Sequence, residues 1–150
     1  MNFEQIKQDL SHAYWIGGIA TGGKTTASKL LSERYAIKNI YHTDDHAMRQ
    51  FDRAIPEKHP TILQIKNMSF ESYISLPDDE WLKIFIDYFN EGFEMIIEDL
   101  YSLPNDRPIL VEGGELIPEL VFKVANPRKA VWMIPSSEFL TSFLPKHSGL

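Results

Sequence analysis

Residues 17–26 read Gly-Gly-Ile-Ala-Thr-Gly-Gly-Lys-Thr-Thr, and from Gly18 to Thr25 they satisfy G-x-x-x-x-G-K-[ST] at every position. This run constrains the fold more than any other feature, because such a loop works only between a strand and a helix. Ala13-Tyr14-Trp15-Ile16 before it is short and apolar, as a buried strand is. Lys24 to Tyr35 after it is helix-prone, with Leu30 and Leu31 expected to face inward. Glycines here let successive backbone N–H groups turn toward one anion, and the following helix adds the positive end of its dipole. A glycine-rich turn also arises for steric reasons alone, but four of the eight glycines fall in this run, followed by lysine and threonine at fixed offsets. The loop is therefore expected to bind nucleotide phosphates through Gly18, Ile19, Ala20, Thr21, Gly22, Gly23, Lys24, Thr25 and Thr26. Lys24 would lie against the β- and γ-phosphates, and the Thr25 hydroxyl would coordinate Mg²⁺.

The rest of the chain alternates between strands and helices. Phe3 to Leu10 reads as a lead-in helix and Ile37 to Thr43 as a second strand. Asp44-Asp45 is placed to cap a helix from His46 to about Arg53, and Thr61 to Met68 reads as a further helix. The longest periodic segment is Glu80 to Tyr101. Leu82, Phe85, Phe89, Phe93, Ile96, Ile97 and Leu100 recur there at three- and four-residue steps, with Asp78 or Asp79 as cap. Ile109-Leu110-Val111 reads as a third strand, Leu116 to Ala125 as a helix or helical turn, and Ala130 to Ile134 as a fourth strand. This order predicts a single α/β domain over residues 1–150, with a parallel sheet and helices on both faces, the three-layer arrangement of phosphate-loop nucleotide-binding proteins. Little sequence follows the fourth strand, so the sheet is expected to be short. A sheet so shortened would expose an edge and part of an apolar face, which favours self-association.

Charge and composition remove several functions. A net charge of −6 without a Lys/Arg cluster argues against nucleic acid as partner. With no cysteine, disulfides, zinc–thiolate sites and thiol catalysis are excluded. No apolar stretch approaches a membrane span, and Met1 to Gln5 lacks the basic start of a secretory signal. The expectation is a cytoplasmic protein without a membrane partner.

Parallel sheets bind nucleotides at the carboxyl ends of their strands. Past the second strand lies His42-Thr43-Asp44-Asp45-His46. Asp44 or Asp45 there could accept a proton from a substrate hydroxyl or hold that hydroxyl toward the γ-phosphate. Asp44 could equally serve only as a helix cap, and His42 and His46 are read as ordinary surface groups. Past the third strand lies Glu112-Gly113-Gly114-Glu115, where an acid can hold Mg²⁺; Glu112, nearer the strand, is preferred to Glu115. Met68, Phe70, Tyr73 and Trp81 could wall an acceptor pocket, although aromatic residues at helical spacing are more often core.

Trp-Ile-Gly-Gly through Gly-Gly-Lys-Thr-Thr, Tyr-His-Thr-Asp-Asp-His, Arg-Pro-Ile-Leu-Val-Glu-Gly and Ala-Val-Trp-Met-Ile-Pro together resemble the small P-loop kinases related to nucleoside, nucleoside-monophosphate and shikimate kinases. Asp44-Asp45 and Glu112-Gly113 match the acidic positions of uridine and nicotinamide-riboside kinases, with His46 in place of an aromatic residue. The chain is similar, too, to bacterial P-loop ATPase-like proteins of unassigned substrate. The resemblance spans residues 14–135; it implies that a last strand and a lid are missing here, and it makes Arg49, Arg53 and Arg128 the candidates for charge that the lid would otherwise supply. It implies ATP and Mg²⁺, and phosphoryl transfer to a small-molecule hydroxyl with Lys24, Asp44 and Asp45 catalytic and Thr25 and Glu112 on the metal. The alternative is a nucleotide-binding protein without transfer activity.

Overall fold

The computed structural model describes residues 2–147, and side chains through residue 142. A helix, α1 (Phe3–Asp9), precedes β1 (Ala13–Gly18). The glycine loop leads into α2 (Lys24–Tyr35), and β2 (Asn39–His42) runs through a 3₁₀ turn (Thr43–His46) into α3 (Ala47–Arg53). Three helices come next: α4 (Pro60–Asn67), α5 (Phe70–Ile74) and the long α6 (Asp78–Tyr101). The chain then forms β3 (Ile109–Glu112), α7 (Pro118–Val124), a 3₁₀ turn (Pro127–Lys129), β4 (Ala130–Met133) and α8 (Ser137–His147). The four strands are parallel in the order β2-β3-β1-β4.

Side chains alternate across a strand, so the register assigns each face. Ala13 and Trp15 of β1 align with Ile109 and Val111 of β3, and Tyr41 of β2 aligns with Val111. These residues join Ile6 of α1, Phe93, Ile96, Ile97 and Leu100 of α6, and Leu120, Val121 and Val124 of α7 in one buried core. The opposite face carries Tyr14, Ile16, Leu110 and Val131, with α2 packed upon it. Helices thus lie on both faces of the sheet.

Several local expectations change. Leu30 points outward and is 61% exposed, while Ser28 is the residue α2 buries completely. The reason is spacing: Ser28 and Leu31 fall on the helix face toward the sheet, and Leu30 is turned about 100° from Leu31. Asp44 and Asp45 sit inside the 3₁₀ turn and make no side-chain cap for α3. Asp78 and Asp79 lie in the first turn of α6 after Pro77, where they complement the helix dipole without a capping hydrogen bond. The α4 N-terminus is capped from a distance, because Glu91 of α6 accepts the N–H groups of Thr61 (3.0 Å) and Ile62 (2.9 Å).

The long helix α6 does not match the sheet in length. Its 24 residues span about 36 Å, whereas the four-residue strand β3 covers only about 13 Å. The helix runs antiparallel to the strands, since its C-terminal end leads into the start of β3. Its aliphatic C-terminal half packs on the sheet. Its N-terminal half, with Trp81, Phe85, Tyr88 and Phe89, overshoots the carboxyl end.

Candidate functional site

The loop between β1 and α2 uses positive φ at Gly18 (121°), Thr21 (65°) and Gly23 (85°). A side chain at Gly18 would put its Cβ 2.2 Å from the Met133 carbonyl oxygen, and one at Gly22 would come within 2.5 Å of the same atom. The loop is thus seated on the end of β4. Within it, the Gly22 N–H donates to the Ile19 carbonyl (3.3 Å), while the N–H groups of Ala20, Thr21 and Gly23 have no protein acceptor among the described residues. Lys24 folds back over the loop, its Nζ donating to the Ile19 carbonyl at 3.0 Å.

Beneath the start of α2, the Thr25 hydroxyl donates to Glu112 Oε1 at 2.9 Å, across 87 residues of sequence. Glu112 is buried at the end of β3, and the same oxygen meets His42 Nδ1 at 2.5 Å. His42 is therefore a partner of the strand-end carboxylate, contrary to its reading as a surface group. The register accounts for this, because His42 aligns with Glu112 on neighbouring parallel strands. His46 is likewise built in, its ring stacked on Tyr41 with centroids 4.2 Å apart.

On the other side of the loop lies a cavity of about 640 Å³. Gly18, Ile19 and Ala20 form its edge, Asp44 and Glu115 contribute its charged groups, and Trp81, Phe85, Tyr88, Phe89 and Trp132 contribute its aromatic wall. Trp132 is fixed by donating its indole N–H to the Leu116 carbonyl at 2.7 Å. Glu115 is only 7% exposed. Its Oε1 accepts a long hydrogen bond from the Tyr88 hydroxyl (3.4 Å), and its Oε2 has no partner among the described residues. Burial raises the Glu115 carboxyl above its usual range; the Thr43 and Tyr88 hydroxyls oppose the shift and the nearby Asp44 charge adds to it. The Tyr88 hydroxyl is pushed upward as well, by burial and then by Glu115.

The expected residues thus divide into two groups. Lys24, Thr25 and Glu112 meet at the glycine loop, and Asp44 shares the cavity wall with that loop. Asp45 is exposed and contributes nothing to the wall, and Thr26 is exposed in the first turn of α2. Of the proposed pocket aromatics, only Trp81 lines the cavity. Tyr73 packs behind it with ring centroids 6.3 Å apart, and Phe70 is 74% exposed. Arg53 is held by Glu98 (2.6 Å) and Asp99 (2.5 Å), and Asp99 also accepts from the Tyr41 hydroxyl. Arg128 precedes β4, at the opposite end of the sheet from the loop. Neither arginine is placed to act at the loop, whereas Arg49 remains exposed on α3. Phe85, Tyr88, Phe89, Trp132 and Ile134 were not expected in the wall. The available signal was the change within α6 from an aromatic to an aliphatic stripe.

Thr25 and Glu112 supply hard oxygen donors, the set suited to Mg²⁺. Among the described residues no cluster of three or more His, Cys, Asp or Glu side chains forms a metal cage, and a magnesium ion shared with phosphates needs none. Among them, no helix is long and apolar enough to cross a membrane. Comparison with protein-family models and with curated proteins gives no match.

Proposed function

We propose that the protein is a Mg-ATP-dependent phosphotransferase of the P-loop kinase kind, acting on a hydroxyl of a small molecule. The observation that carries this reading is the meeting of Thr25 with Glu112 at 2.9 Å beneath a glycine loop whose N–H groups at Ala20, Thr21 and Gly23 lack acceptors among the described residues. Those N–H groups and Lys24 suit phosphate oxygens, and Thr25 and Glu112 suit the accompanying Mg²⁺. When bound, that ion would offset phosphate charge. Asp44, on the cavity wall next to the loop, would hold the acceptor hydroxyl and take its proton as the oxygen bonds to the terminal phosphorus. The bond to the bridging oxygen breaks, and ADP leaves with that electron pair.

The positions of the arginines favour a second reading. With Arg53 bound to α6 and Arg128 at the far end of the sheet, two of the three candidate arginines are kept from the loop among the described residues. This suits a protein that binds or slowly hydrolyses nucleotide without an acceptor.

Calorimetric titration of Mg-ATP and Mg-GTP into the protein, with Lys24→Ala as control, tests the shared premise. Saturable binding that disappears in the variant is the expected result; no binding to either protein would overturn both readings. A hydroxylated metabolite that increases ADP formation severalfold would then decide for transfer, and its absence across a broad screen would favour the second reading.

A further inference from the structure

The cavity beside the glycine loop is more selective than a general acceptor pocket. Among the described residues, Asp44 and Glu115 are the only charged side chains in its lining, which contains no lysine, arginine or histidine. Glu115 is more than nine-tenths buried, Oε2 is unpartnered, and the Tyr88 contact to Oε1 is long; the nearby Thr43 hydroxyl favours the ionised form without offsetting burial. A buried carboxylate in that state is costly unless something of opposite charge or a strong donor meets it. The same cavity is lined by five aromatic residues, a composition that attracts organic cations.

We propose that this cavity seats the phosphoryl acceptor and that the acceptor is a cationic amino alcohol, its ammonium or quaternary ammonium group lying against Glu115 and the aromatic wall and its hydroxyl toward Asp44. The hydroxyl's role rests on the phosphotransferase reading; the recognition of the cation rests on the cavity alone. An anionic acceptor would face two carboxylates with no cation among the lining residues to offset them. A neutral acceptor could donate a hydrogen bond to Glu115 but would bring no charge to offset the two carboxylates. A cation supplies that charge and favours the ionised form that burial opposes. The net charge of −6 favours the approach of the same class of molecule.

Three probes with one aromatic body separate these cases: 2-phenylethylammonium, 2-phenylethanol and phenylacetate. Each is titrated into the whole chain without nucleotide and followed by calorimetry and by emission from Trp81 and Trp132. The ammonium is expected to bind about tenfold more tightly than the alcohol, with phenylacetate weakest. In Glu115→Gln that preference should fall to about threefold or less while the alcohol's affinity stays the same. Trp81→Leu, at a partly exposed position, should weaken the ammonium more than the alcohol and provides the same comparison if Glu115→Gln does not fold. Equal or tighter binding of the alcohol, or no probe binding to folded protein, overturns the inference. Lys24→Ala keeps the failures distinct: it should retain probe selectivity. Loss of the preference there would overturn cation recognition by the cavity. If the unsubstituted chain binds no Mg-ATP but still prefers the ammonium, only the phosphotransferase reading falls.

Discussion

The two faces of the sheet are built to different standards. Toward α6, Trp15, Tyr41, Ile109 and Val111 are sealed under three helices, and Ile96 and Val121 are completely buried. Toward α2, Tyr14 is 38% and Val131 51% exposed, and a hollow of about 410 Å³ separates Leu31 and Tyr35 from the strands. Stability is concentrated on the first face. The contact of Thr25 with Glu112 at the glycine loop belongs to the second, thinner one. The proposed acceptor cavity belongs to the first, where α6 outruns the strands. One site therefore draws on both faces, with the loop at the seam.

The sharpest way to break this division is Asp44→Asn, on the cavity side. It should lower phosphoryl transfer by roughly 10²–10⁴-fold and leave calorimetric Mg-ATP affinity nearly unchanged; unchanged turnover would remove Asp44 from the reaction. Next in size is Ile96→Ala, which should cost about 2–5 kcal/mol in denaturant unfolding because α6 carries the sealed face. Thr25→Val preserves shape but removes an oxygen donor beneath α2. It should weaken Mg-ATP binding about tenfold and affect metal-free ATP much less. Glu115→Gln probes pH. The Glu115 carboxyl titrates above its ordinary value of 4.5 in the folded protein. Its favourable contribution is therefore fully present below the unfolded value and is lost as pH rises through the folded one. The variant should show a flatter profile of Tm against pH, with its relative gain at the alkaline end. The smallest effect is expected from Val131→Ala, less than about 0.5 kcal/mol at a position already half exposed.

Much of the framework was legible in the sequence. The bounds expected for α2 match those observed, and every predicted strand is present within two residues, because glycine, proline and apolar runs act locally. Thr25 and Glu112 could be brought together in advance because a glycine loop after one parallel strand and an acid after its neighbour converge at the carboxyl end of the sheet. Other residues depended on lengths and registers that no local pattern carries. His42 meets Glu112 only because β2 and β3 align them. The aromatic half of α6 resembles core until the helix is compared with the shorter strands. Arg53 was a candidate for the site, but Glu98 and Asp99, 45 and 46 residues later, hold it elsewhere.

The Met133 carbonyl occupies the space that side chains at Gly18 and Gly22 would need, and the Trp132 indole occupies that of one at Gly17. Edge strands are usually where a lineage is free to wander. Here the path of β4 leaves no room for a side chain at three glycines far upstream, so any substitution there would have to push that strand aside.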